Sequence, residues 1–123
     1  MHFGAELILA VGGGSAIDTA KGIAIGAANP GTDIWEFWKN KKELKTALPV
    51  GTVLTISAAG SEMSNSAVLT DEETQDKSGI GSDLIRPKFA IMNPELTYTI
   101  QIPAYMRNLR HFLCIQLNVY FTP

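Results

Sequence analysis

Three glycines followed by a serine, Gly12-Gly13-Gly14-Ser15, are the residues of this chain best suited to chemistry through the bare backbone. Lacking Cβ atoms, they let N–H groups approach a pyrophosphate closely, and a helix beginning there adds partial positive charge. Ser15 and Asp18 also have the Ser-x-x-acid spacing of a capping box, with Asp in place of the usual Glu. The dinucleotide fingerprint itself is not met, because the residue three after Gly14 is Ile17 rather than glycine. From the residues alone, a phosphate loop and a plain capped strand-to-helix turn both account for the stretch.

A second polar cluster, "TISAAGSEMSNS", spans Thr55 to Ser66. It is rich in hydroxyls and small residues and follows an apolar run. Open parallel sheets bind ligands beyond the carboxyl ends of their strands, so two such loops can meet on one edge. The plainer reading is a capped loop, with Ser61 or Ser64 starting a short helix and Glu62 favoured by its dipole. No nucleophile set is present: the two histidines are His2 and His111, and His111 has the apolar Ile115 four residues on. The single cysteine, Cys114, reads as a small buried hydrophobe and fits a reducing cytoplasm.

These residues need elements to hold them, and the chain alternates strand and helix. Glu6 to Val11 is a short apolar run predicted as a buried strand. Ala16 to Ala28 is long enough for a helix and almost wholly small or apolar, as suits close packing on a sheet; Asn29-Pro30-Gly31 ends it. Asp33 to Trp38 reads as a short helical turn, Val50 to Ser57 as a second strand, and Ser66 to Ile80 as a hairpin with a polar tip. Lys88 to Met92 is a further strand stopped by Asn93-Pro94, and Pro103 to Val119 reads as a helix. At 123 residues the chain is one domain or less. A hydrophobic content of 46% with 18% charged residues is that of a folded soluble protein. The net charge of −2 supplies no basic field for nucleic acid or an anionic membrane. No apolar run reaches the ~20 residues of a membrane span.

Three motifs, "GGGSAIDTAK", "LPVGTVLTISAAGSEMS" and "PKFAIMNPELTYTI", stand in the order and spacing found in the iron-containing (group III) alcohol dehydrogenases. The chain resembles that family over roughly residues 5 to 100, and within it the NADPH-dependent butanol dehydrogenases. The resemblance implies an α/β fold: an incomplete Rossmann-like dinucleotide-binding domain of the dehydroquinate synthase-like fold over residues 1–100. Residues 101–123 would then be the first helix of an otherwise missing all-helical metal domain. It also implies hydride transfer between NADP (or NAD) and a primary alcohol or aldehyde, with a divalent metal, iron or zinc, as Lewis acid. By family, members are commonly cytoplasmic homodimers acting on small molecules. The cofactor positions carried over are Gly13, Gly14 and Ser15 at the pyrophosphate, Asp18 beside it, Thr55, Ala59 and Ser64 in the second loop, Lys77 in "DKSG", and Leu96 in "NPELT".

The chain departs from the family at its end. Counting back from Tyr120-Phe121-Thr122-Pro123, the two metal-ligand positions on the family's helix fall on His111 and Ile115, and residues 101–123 contain no acid. The expectation is therefore a chain that holds part of the cofactor cleft, binds no catalytic metal and is inactive by itself, its last stretch disturbed by a local reading-frame change. A stand-alone nucleotide-phosphate-binding module and a non-catalytic interaction protein are the alternatives.

Overall fold

A computed structural model describes residues 4–99. Strand β1 (Ile8–Gly12) leads into helix α1 (Gly14–Ala28), followed by a single helical turn, α2 (Trp35–Trp38). Strand β2 (Val50–Leu54), a hairpin of β3 (Ser66–Thr70) and β4 (Lys77–Gly81), and strand β5 (Phe89–Met92) complete the regular elements, with 3-10 turns at Asp83–Ile85 and Pro94–Thr97. Among the described residues the predicted strands, long helix, helical turn and hairpin form, with shifted ends. The first strand starts at Ile8 rather than Glu6, and the second stops at Leu54, just before the Thr55 amide donates to the carbonyl of Gly12 at the end of β1. The helix expected over 103–119, with His111, Cys114 and Ile115, lies outside the described residues.

β1, β2 and β5 form a parallel sheet in the order β1-β2-β5, with Ala10 opposite Thr52 and Thr52 opposite Ala90. β3 and β4 pair antiparallel as a separate ribbon. Alternation in the strands divides the sheet's faces. Ala10 and Leu54 meet Ile17 and Ala20 of α1 in one buried cluster. Leu9 and Val11, pointing the other way, are exposed, as are Phe89 and Ile91 at the registering positions of β5.

A second cluster joins Ile25 of α1 to Phe37 and Trp38 of α2, Ala67 of β3 and Ile85. α1 is thus pressed between sheet and hairpin. Its small residues make that possible: a Cβ at Gly22 would stand 2.9 Å from Leu69 Cδ1. This is the close packing its composition predicts. All three parallel strands end on the edge where the loops after β1 and β2 emerge, so the fold delivers both polar clusters to one rim.

Candidate nucleotide-phosphate site

The turn after β1 has no room for side chains in its first half. Gly12 has φ 156°, and a Cβ there would lie 2.7 Å from Ala16 Cβ. Gly13 has an ordinary backbone (φ −90°, ψ −168°), but its Cβ would lie 2.6 Å from Ile56 Cγ2. Gly14 differs from both: among the described residues nothing lies within 4 Å of its Cβ position. Steric fit explains the first two glycines, and neither packing nor backbone strain explains the third. Gly14 borders a cleft of about 660 Å³ whose lining includes Ser15, Asp18, Ala59, Thr70 and Lys77.

The helix end facing this cleft is not capped by a side chain. Gly13 is the N-cap residue, no side chain bonds the first-turn amides, and the first turn contains no acid. This corrects the capping-box expectation. Ser15 lies inside the helix, one residue past its start, and Asp18 turns away from the helix end. One Asp18 carboxylate oxygen accepts from Ser61 Oγ, and the other from the Val68 amide at 3.0 Å. The early backbone N–H groups of α1 are therefore left to water or a ligand, with the positive end of the helix dipole behind them. Lys77, on the far wall, adds a cation.

The structure brings together five of the nine expected cofactor residues, Gly14, Ser15, Asp18, Ala59 and Lys77, around one cleft. Gly13 and Thr55 are not in its lining: Gly13 packs on Ile56, and the Thr55 amide donates to the Gly12 carbonyl at 3.1 Å. Ser64 faces neither cleft nor solvent chemistry but a buried lysine, Lys21. Leu96 is exposed on the Pro94–Thr97 turn. A separate hollow of about 170 Å³ beside that turn is lined by Leu54, Ile56, Ser57, Met92, Asn93, Pro94 and Thr97, not by Leu96.

The expected short helix at Ser61 or Ser64 is absent; residues 61–63 form only a turn. Cations satisfy its carbonyls instead. Lys21 Nζ donates to the carbonyls of Ser61 (2.8 Å), Ser64 (3.0 Å) and Ser66 (2.7 Å), and Arg86 donates to that of Met63 (2.8 Å). Lys21 is fully buried. Burial pulls its pKa down from the ordinary 10.5 to about 8, against the opposing pull of Asp18 and Glu62, while Arg86 lowers it further. Sequence reasoning assigned nothing to Lys21. The available signal was that Asp18 and Lys21 are the only charged residues in a helix otherwise made of small and apolar side chains.

A family model described as iron-containing alcohol dehydrogenase matches residues 1–94. The chain belongs to the iron-containing alcohol dehydrogenase family. It is 50% identical over 95 residues to a probable NADH-dependent butanol dehydrogenase 1 of Bacillus subtilis, covering 77% of this chain and 24% of that protein. To the NADPH-dependent aldehyde reductase YqhD of Escherichia coli it is 43% identical over 95 residues, covering 76% and 24%. The crystal structure of an NADH-dependent butanol dehydrogenase A from Thermotoga maritima superposes with a TM-score of 0.87 at 38% identity, over 96% of this chain and 29% of that one. The parallel sheet with its helix is thus part of the Rossmann-like, dehydroquinate synthase-like fold of iron-type alcohol dehydrogenases. The chain spans about a quarter of the length of the curated relatives it matches. The relatives are oxidoreductases by name, some specifying NADH and another NADPH, so the lean toward NADP finds no single answer among them.

The family's two groups fare differently against the described residues. The uncapped helix end, the open space at Gly14 and Lys77 suit a nucleotide pyrophosphate. A metal ion is not suited: among the described residues no three His, Cys, Asp or Glu side chains come together to hold one. Among the same residues no helix is long and apolar enough to cross a membrane.

Proposed function

We propose that the chain forms the pyrophosphate side of the NAD(P)(H) cleft of an iron-type alcohol dehydrogenase or aldehyde reductase. The observation that carries this reading is Gly14: a glycine at an uncapped helix end, with empty space at its Cβ and a lysine across the cleft. The α1 amides and Ser15 would hold phosphate oxygens, Lys77 would neutralise them, and Ala59 would keep the opposite wall small. Gly13, Thr55 and Ser64 would act by shaping that wall. Leu96 would give an apolar contact beyond it. When bound, the nicotinamide supplies the hydride acceptor for an alcohol or the donor for an aldehyde. The described residues bind and orient; they contribute no proton-transfer group to that step. The small-molecule substrate, a cytoplasmic setting and the homodimer usual in the family follow from the same reading, with no nucleic-acid or membrane partner.

The test is a fluorescence titration of the full chain with NADH and with NADPH, repeated against inorganic pyrophosphate as competitor. Saturable binding displaced by pyrophosphate is expected. Lys77→Gln should weaken it about tenfold, the cost of one charge-assisted contact. Gly14→Val should abolish it by filling the phosphate space. Absence of saturable binding, or equal binding by parent and both variants, refutes the reading and leaves the loop a turn.

A further inference from the structure

We propose that Lys21 is the positioning residue of the nucleotide cleft, its buried ammonium fixing the cleft's Ala58–Ala59 wall from behind without touching the ligand. The proposal rests on the nucleotide reading above. It starts from a loop that has no regular structure yet must keep its shape. Residues 58–65 are held neither by a helix nor by strand pairing, and Ser66 opens β3. Two loop carbonyls, Ser61 and Ser64, and that of Ser66 at the start of β3 converge on the three hydrogens of one ammonium. The hydroxyls of Ser61 and Ser64 approach the same nitrogen at 3.3 and 3.2 Å.

The clamp is coupled to the cleft through Asp18, one turn earlier on α1. Asp18 lines the cleft, accepts from Ser61 Oγ, and accepts from Val68 N on β3. One face of α1 therefore pins both the loop carrying Ala58–Ala59 and the strand carrying Val68–Thr70. Those two segments are the cleft's outer lining. Lys21 itself is not among the lining residues and has no exposed surface. The charges facing it are Asp18 from its own helix, Glu62 from the loop, and Arg86 from beyond the Asp83–Ile85 turn, which also grips Met63 from outside.

Among the described residues, removing the ammonium leaves the Ser61 and Ser64 carbonyls without a side-chain donor and the Ser66 carbonyl with only Ser64 Oγ at 3.3 Å, and they must turn toward water by moving the loop. Lys21→Met keeps the apolar stem and removes only the donors. It should weaken NADH binding at least about tenfold. Amide exchange should quicken across 58–68 while β1 and β2 keep their protection. In Lys21→Ala, added n-propylammonium should restore affinity and 1-propanol should not, which a merely space-filling lysine would not show.

The proposal is overturned if Lys21→Met binds and exchanges like the parent, or if the neutral alcohol rescues as well as the amine. Failure of the parent to bind NADH defeats the functional reading instead, and the exchange profile decides Lys21 separately.

Discussion

Adjacent glycines in the first loop should respond in opposite ways to the same added methyl group. At Gly13 the new Cβ would stand 2.6 Å from Ile56 Cγ2, well inside the ~3.5 Å optimum for two carbons. Its backbone is one any residue adopts, so the cost is purely steric. Overpacking of this kind costs about 1–3 kcal/mol, offset by roughly 0.4–1 kcal/mol from stiffening the unfolded chain. Gly13→Ala should therefore lose about 1–2 kcal/mol. At Gly14 the methyl meets nothing within 4 Å, and the residue is helical, so Gly14→Ala should gain up to about 1 kcal/mol. Nucleotide affinity should move the other way at Gly14, because that methyl intrudes on the phosphate space. Urea denaturation and NADH titration of both variants provide the measurements. Ile56→Ala in the Gly13→Ala background should recover part of the loss, since it removes the atom struck. A destabilised Gly14→Ala, a silent Gly13→Ala, or no coupling to Ile56 would refute the steric assignment of the loop.

Three further outcomes follow from the packing and charge. Gly51→Ala should destabilise the sheet by about 1–3 kcal/mol, because the Phe89 ring lies over Gly51 and its Cε1 would be 2.6 Å from the new Cβ; a melt of Gly51→Ala with and without Phe89→Ala checks this. Asp83 is held below the usual carboxylate range by hydrogen bonds from Arg86 and Asn65 and by the Arg86 charge; for Asp71, burial pushes upward, but bonds from Thr74 and Glu73, with Lys39, win. The unfolded state regains protons first, so stability is present above the ordinary carboxylate pKa and is lost as pH falls through the lower folded values; Asp83→Asn should flatten that part of an acid titration. The purified chain, dialysed with ferrous iron or zinc, should form no NAD(P)H from butanol, because the described residues offer no three-donor metal site; turnover with stoichiometric metal would direct attention to His111.

The strand–glycine–helix order, the hairpin and both polar loops were legible because each rests on local physics. Apolar runs, small-residue composition and Asn-Pro or Pro-Gly stops act within a few residues of themselves. The phosphate reading of Gly12 to Ser15 was legible only as one of two, since a tight turn uses the same glycines. Three-dimensional contacts tell the glycines apart: Gly13 packs on Ile56, forty-three residues away, whereas among the described residues no atom lies within 4 Å of the Cβ position at Gly14. The capping role given to Ser15 and Asp18 failed for the same reason. Spacing alone cannot say that Asp18 will find Ser61 and the Val68 amide, partners that sheet and hairpin bring to it. Lys21 shows the limit most plainly. A lysine in sequence defaults to solvent, and burying its charge takes two carbonyls from a distant loop and a third from the start of β3, which only the assembled chain can place around a single nitrogen.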